Sequence, residues 1–292
     1  MAIVLGANQY GKAEVRMVTL DRTGERDVVR DLTVSIALSG ELVSVHTTGD
    51  NANVVPTDTQ KNTVFAFAKQ APVGEIEDFG LRLARHFAAE FAAISRARVH
   101  IAETGWERLD AHNLRRAGDE ARTATVVADA DGSAHVVSGL EDLVVMKTAG
   151  SEFTGYLEDR YTTLPETRDR ILATAVAARW RHAAAEGDWD ASFAAARAEM
   201  LARFAGHHSL SLQQTLYEMG AGVLRARPEI AEIRLSLPNR HHFLVDLSPF
   251  GLENDNEVFR AEDRPYGLIE AVLTRPDAPP AGPAWDPYPL VR

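Results

Sequence analysis

The chain has 292 residues, 45% of them apolar, with 31 basic and 42 acidic side chains and a net charge of −11. That length suits one large domain or two ordinary ones, and the apolar share suits a soluble globular protein. The negative balance argues against a dedicated nucleic-acid or anionic-membrane binder, which presents a basic face. It leaves a small anionic ligand open, because a site is local. Cysteine is absent, which excludes disulfides, thiolate metal sites and cysteine nucleophiles. No stretch approaches the length of a membrane-spanning helix. Met1–Leu5 is too short and too soon polar for a signal peptide, and the C-terminal Leu290-Val291-Arg292 is no peroxisomal address. A cytosolic, bacterial protein is expected.

Gly6 to Ala13, reading GANQYGKA, has the glycine and lysine spacing of a P-loop. Ala13 stands where the magnesium-binding hydroxyl belongs, and Ala13–Leu20 alternates as a strand where a P-loop opens a helix. Nucleotide phosphate binding is therefore disfavoured, and Lys12 reads either as solvated surface or as a catalytic lysine at a strand start. Thr23-Gly24 marks a turn. Leu32, Val34, Ile36 and Leu38 fall at every second residue, a half-buried antiparallel strand. Apolar residues then stop at Pro56, and a helix is expected over Gln60–Ala68. Thr57 with Gln60 has capping-box spacing, which leaves Thr57 and Asp58 at the positive end of that helix, where an anion is favoured. A plain helix cap is the competing reading. Ile76, Phe79, Leu83, Phe87, Phe91 and Ile94 step by three or four residues along a second helix. Val99, Ile101 and Glu103 resume a strand, and Ala121–Lys147 is strand-like around an Asp131-Gly132 hairpin turn.

The second half repeats the plan. Thr163 and Glu166, with Pro165 between them, have the spacing of another capped helix start. Ile171–Trp180 reads as a strand. Trp189, Phe193, Ala196, Met200 and Phe204 form one helical stripe; Leu212, Leu216, Met219 and Val223 form another, stopped by Pro228. Two further strands, Ile230–Leu237 and Phe243–Leu247, are expected. Antiparallel strands with helices grouped on one face indicate an α+β layer. The boundary is placed near Val137–Gly139, giving domains over residues 1–137 and 138–274. The tail, 275–292, holds six prolines and is expected to be extended or disordered rather than packed, although Trp285 and Tyr288 could dock on a neighbour. The adjacent pairs His207-His208 and His241-His242 point to opposite faces if extended, so neither makes a ready two-ligand site, and no metal is expected.

Three blocks carry a resemblance: Asn8-Gln9-Tyr10-Gly11-Lys12, the run Thr57-Asp58-Thr59-Gln60-Lys61-Asn62-Thr63, and Ser236-Leu237-Pro238-Asn239-Arg240-His241-His242-Phe243. In this order they resemble the conserved blocks of the urate oxidase (uricase) family, over about Val4 to Leu273. The resemblance implies two tandem tunnel-fold (T-fold) domains, each an antiparallel β-sheet backed by two helices. Four chains would assemble into a β-barrel tunnel, with active sites between subunits. It also implies a cofactor-independent reaction of urate, dioxygen and water that yields 5-hydroxyisourate and hydrogen peroxide. By the same resemblance Lys12, Thr57 and His241 form a proton relay, and Arg170 and Gln213 grip the purine edges. Phe153 stacks on the ring, backbone N–H groups near Thr57, Asp58 and Leu212 complete recognition, and Asn239 orients dioxygen and then water. On local pattern alone Phe153 reads equally as core and Arg170 equally as a surface ion-pair partner, Gln213 reads as a surface polar residue, and a partly buried structural role is the stronger reading of His241. Two alternatives stay open: another tunnel-fold purine or pterin enzyme, whose hydrolytic members use zinc with Cys and His, and a non-catalytic purine-binding protein.

Overall fold

The computed structural model describes residues 3–287, and Tyr288, Pro289 and Leu290-Val291-Arg292 lie outside them, as do Met1 and Ala2. The chain divides into two compact units. Described residues 3–139, 180–190 and 279–287 form the first, and 140–179 with 191–278 form the second. Both are α+β.

The first unit opens with β1 (Tyr10–Asp21) and β2 (Val28–Gly40), followed by a short helix α1 (Val43–Thr47), α2 (Thr57–Gln70) and α3 (Ile76–Glu90). Then come β3 (Ile94–Arg108), β4 (Leu114–Asp129) and the start of β5 (Ala134–Lys147). The strands are adjacent in chain order, β1-β2-β3-β4-β5, and this order does not close on itself. Leu32, Val34, Ile36 and Leu38 are fully buried, as their alternation requires. The strand is not half-buried, however. Asp31, Ser35 and Ala37 on its other face are buried too, and Asp31 is satisfied by Arg16 Nη2 at 3.0 Å and Trp106 Nε1 at 3.2 Å. Phe79, Leu83 and Phe87 of α3 bury their stripe in the same cluster, each contributing about 1.5–3 kcal/mol by leaving water. Ile94 does not extend that helix; it opens β3, because Phe91 is already extended. The hairpin at Asp131-Gly132 is as expected, with Gly132 at φ +90° and Asp129 N donating to Ser133 O at 2.9 Å.

Three expectations fail in instructive ways. Thr57 is not an N-cap: α2 begins at Thr57 itself, Pro56 precedes it and no side chain caps the end. Gln60 turns inward and donates to Val55 O at 3.2 Å. No helix starts at Thr163, because Phe153 and Thr167 exchange backbone hydrogen bonds as an isolated antiparallel bridge and Glu166 instead accepts from Gly155 N at 2.6 Å. The tail is packed: Arg98 Nη2 donates to Pro283 O at 2.8 Å, Arg181 Nη2 to Pro279 O at 2.9 Å, and Ala284 is buried within a 3-10 turn over Gly282–Trp285. Two buried arginines thus use the free carbonyls that proline-rich backbone offers.

The second unit holds the end of β5, most of β6 (Leu172–His182), α4 (Trp189–Ala205, from Ala191 on) and α5 (Leu212–Ala226). It is completed by β7 (Ile230–Leu244), β8 (Phe259–Glu262) and β9 (Leu268–Thr274). Its strand order is β5-β6-β7, with β8 and β9 both on β7. The two strands expected between Ile230 and Leu247 are one. β7 pairs with β9 through Pro238 and with β8 from His241 on, so the Pro238-Asn239-Arg240 break in pattern is a change of partner and not a loop. Proline is tolerated there because it ends a ladder. No helix among the described residues is long and apolar enough to cross a membrane.

Candidate active site

The expected site residues fall in both units. In the first unit Lys12 lies half-buried on β1, while Thr57 and Asp58 form the exposed first turn of α2. Helix α2 packs on β1. The Asp58 carboxylate accepts from Lys61 Nζ and from Asn62 Nδ2, the latter at 2.9 Å. These contacts, with a smaller contribution from the charge of Lys12, hold it below the usual carboxylate range. Lys12, Thr57 and Asp58 are therefore brought together at a helix start whose first N–H groups have no side-chain cap, the arrangement that favours an anion.

Strand β1 is distorted at this point. Lys12 pairs with Ile36 and Val15 with Val34, so Ala13 and Glu14 stand against Ser35 alone, a β-bulge. Glu14 adopts φ +56°, and its N–H donates to Ser35 Oγ at 3.0 Å. Bulges re-aim side chains, and they gather next to active sites.

In the second unit Phe153 and Arg170 are brought together on an irregular segment. Arg170 N donates to Ser151 O at 2.9 Å, and the guanidinium lies over the Phe153 ring, 5.2 Å from its centroid. Tyr156 stacks on the same ring at 4.9 Å. Among the described residues no carboxylate lies within salt-bridge distance of Arg170, and burial alone pulls its pKa below the usual guanidinium value. His241, half-buried on β7, feels that charge. Burial first and Arg170 second hold it below the ordinary imidazole range, against the opposing pull of Glu262, its partner on β8. Its ring also stacks on Phe243 at 5.6 Å. Asn239 is fixed through its backbone, N to Gly267 O at 2.8 Å. Leu212 is buried at the start of α5, where Ser211 Oγ caps Gln214 N at 3.1 Å. Gln213 beside it is exposed and lines a groove of about 610 Å³ with Tyr217, Arg225 and Val272.

Strand β8 was illegible in the sequence, being four residues long, and with it the position of Glu262 opposite His241. His207, of the first histidine pair, is structural: its two ring nitrogens bond Arg203 O at 2.6 Å and Thr215 Oγ1 at 3.1 Å. Among the described residues no three His, Asp or Glu side chains converge as a metal site requires.

The family model for uricase matches residues 8–131 and 136–270. The chain belongs to the uricase family. The Arthrobacter globiformis uricase is 50% identical over 284 residues, 97% of this chain and 94% of that relative. Its crystal structure superposes with a TM-score of 0.94, covering 98% of this chain and 99% of that one. The Dictyostelium discoideum uricase is 36% identical over 277 residues, 92% and 96% of the two chains. The α+β architecture of the tunnel fold is thus the one observed, and all three blocks that carry the resemblance lie inside the matched residues.

Proposed function

We infer that this uricase family member oxidises urate with dioxygen and water to 5-hydroxyisourate and hydrogen peroxide. The observation that carries the reading to the level of residues is Arg170. A half-buried guanidinium that no carboxylate among the described residues neutralises, laid against an aromatic face, is suited to receive a flat anion. Arg170 presents a forked, charge-assisted contact to one purine edge, Gln213 binds the opposite edge and Phe153 stacks on the ring. Leu212 and the uncapped N–H groups at Thr57 and Asp58 complete recognition. Asn239 holds dioxygen, and then water, over the ring.

The substrate supplies the electrons. Deprotonated urate is electron-rich enough to reduce dioxygen directly, so the protein has only to clamp the anion and move protons, without a cofactor. Lys12, Thr57 and His241 form the relay: an amine or a neutral imidazole accepts a proton that a hydroxyl passes on. A His241 held below the ordinary imidazole range stays neutral, and so able to accept, to lower pH.

The homotetramer belongs to this reading, with one subunit giving Lys12, Thr57 and Asp58 and a neighbouring copy the rest, so isolated monomers should be inactive. The division into domains 1–137 and 138–274 with a tail from 275 belongs to it too, as does a cytosolic, bacterial setting. The test is to mix purified protein with urate in air, with excess chelator present. Peroxide release with loss of urate absorbance supports the reading. Urate binding without turnover sinks it in favour of a binding protein, and activity abolished by the chelator sinks the cofactor-free mechanism.

A further inference from the structure

The link between Lys12 and Thr57 runs through a residue that the relay itself does not use. Tyr10 sits two positions before Lys12 on β1, so the two side chains share a face of the strand. Its hydroxyl accepts from Val55 N at 2.8 Å and donates to Val55 O at 3.2 Å. One side chain thus holds both polar groups of a residue two positions before Thr57. The same carbonyl also accepts Gln60 Nε2 from inside α2 at 3.2 Å. Gln60 is fully buried, and its Oε1 has no hydrogen-bond partner among the described residues. A half-satisfied buried amide is costly in a core, and here its one bond goes to the segment that leads into the helix.

The other side of Tyr10 is equally fixed. Gly11 lies so close to β2 that a Cβ there would stand 1.8 Å from Ile36 O, so no other residue fits without moving the strand. Beyond Lys12 the bulge leaves Glu14 N–H outside the ladder, and buried Ser35 accepts it. Lys12 is therefore bracketed by a close strand contact before it and a capped bulge after it. Tyr10 ties that bracket to the start of α2.

We propose that Tyr10 is a positioning residue for this reaction: by bonding both polar groups of Val55 it sets the spacing between the Lys12 ammonium and the Thr57 hydroxyl, with Gln60 and Ser35 holding the two sides of the tie. This rests on the assignment of Lys12 and Thr57 to proton transfer. Tyr10 touches no reacting atom. Its loss acts on the geometry of transfer far more than on the grip on the purine, whose side-chain contacts, from Arg170, Gln213 and Phe153, come from elsewhere.

The test is Tyr10→Phe, which keeps the ring and removes the hydroxyl, in the full-length protein, alone and combined with Lys12→Met. Expected is a fall in kcat of about tenfold, the scale of a small misplacement of reacting groups, with KM and urate affinity measured without dioxygen little changed. In the Lys12→Met background Tyr10→Phe should cost nothing further. An equal loss in that background means general damage and overturns the inference, as does wild-type kcat in Tyr10→Phe beside an inactive Lys12→Met. Full turnover in Lys12→Met overturns the relay itself. Should Tyr10→Phe fail to fold, Ser35→Ala reads the same geometry from the bulge side. A lowered kcat at constant KM supports the proposal, and an unchanged kcat overturns it.

Discussion

Two arginines of similar burial do opposite things. Arg122, in the first unit, reaches fully buried Glu77 at 2.8 Å and also Asp190. Glu77 in turn accepts Ser138 Oγ at 2.6 Å, and that hydroxyl meets His182 Nε2 at 2.9 Å. Every charge there is answered from within the unit. Arg170, in the second unit, has a ring beside it and, among the described residues, no acid within salt-bridge distance. A fold tolerates an uncompensated half-buried cation only at some cost, since desolvation goes unrepaid. On the proposed reading, the contrast separates a charge that holds structure together from one held ready for the urate anion.

The largest effect should come from breaking the compensated case. Arg122→Met leaves Glu77 buried without its counter-ion, a loss of about 3–5 kcal/mol, read as the shift in a urea or thermal midpoint. Urate affinity of the folded fraction should not change. Burial raises Glu77 above the ordinary carboxylate range even with Arg122 present. A group with a raised folded pKa contributes stability that is complete below its unfolded pKa and is lost as pH rises through the folded one. The variant should therefore be least impaired at acid pH and most impaired at neutral pH. A midpoint shift independent of pH would mean that Glu77 is not the group left stranded.

The second effect is the reverse. Arg170→Gln should weaken urate binding by about 1.5–3 kcal/mol, roughly 10- to 150-fold in Kd, measured without dioxygen, while the unfolding midpoint stays or rises. Unchanged affinity, or a midpoint that collapses as for Arg122, would erase the distinction between the two arginines.

This contrast also marks what the sequence makes legible. Periodicity finds α3 and β2, because Phe79, Leu83 and Phe87, or Leu32, Val34, Ile36 and Leu38, each repeat one face of one element. It cannot show that Asp31 on the other face of β2 is buried, since that depends on Arg16 and Trp106 from other strands. Capping patterns misled twice for one reason. Thr57 with Gln60 and Thr163 with Glu166 have the right spacing, yet Gln60 serves Val55 and Glu166 serves Gly155, partners that spacing alone does not encode. Neither Arg122 nor Arg170 declares its role locally. The three resembling blocks contain Lys12, Thr57 and His241, but the Tyr10 tie and the bulge at Glu14 exist only once β1, β2 and the segment before α2 are assembled.

The smallest effect tests whether the open charge is felt by its neighbour. Burial lowers the pKa of His241 most, Arg170 next, and His242 adds to them, while Glu262 across the strand pair opposes all three. The depressed pKa means that the unfolded chain takes up the proton first. The contribution of His241 to stability is thus present above its ordinary pKa and lost as pH falls through that value toward the folded one. For turnover, if neutral His241 takes the proton, the acid limb of kcat at saturating urate reports its titration. Arg170→Gln removes one depressing influence and should move that limb to higher pH. Glu262→Gln removes the opposing one and should move it to lower pH, with urate affinity little altered because Glu262 faces the histidine and is given no part in gripping the purine. Shifts of opposite sign from two neutralising substitutions cannot come from general damage, which would lower kcat at every pH alike. A limb that stays in place in both variants would take His241 out of the relay and leave Lys12 and Thr57 to move the proton alone.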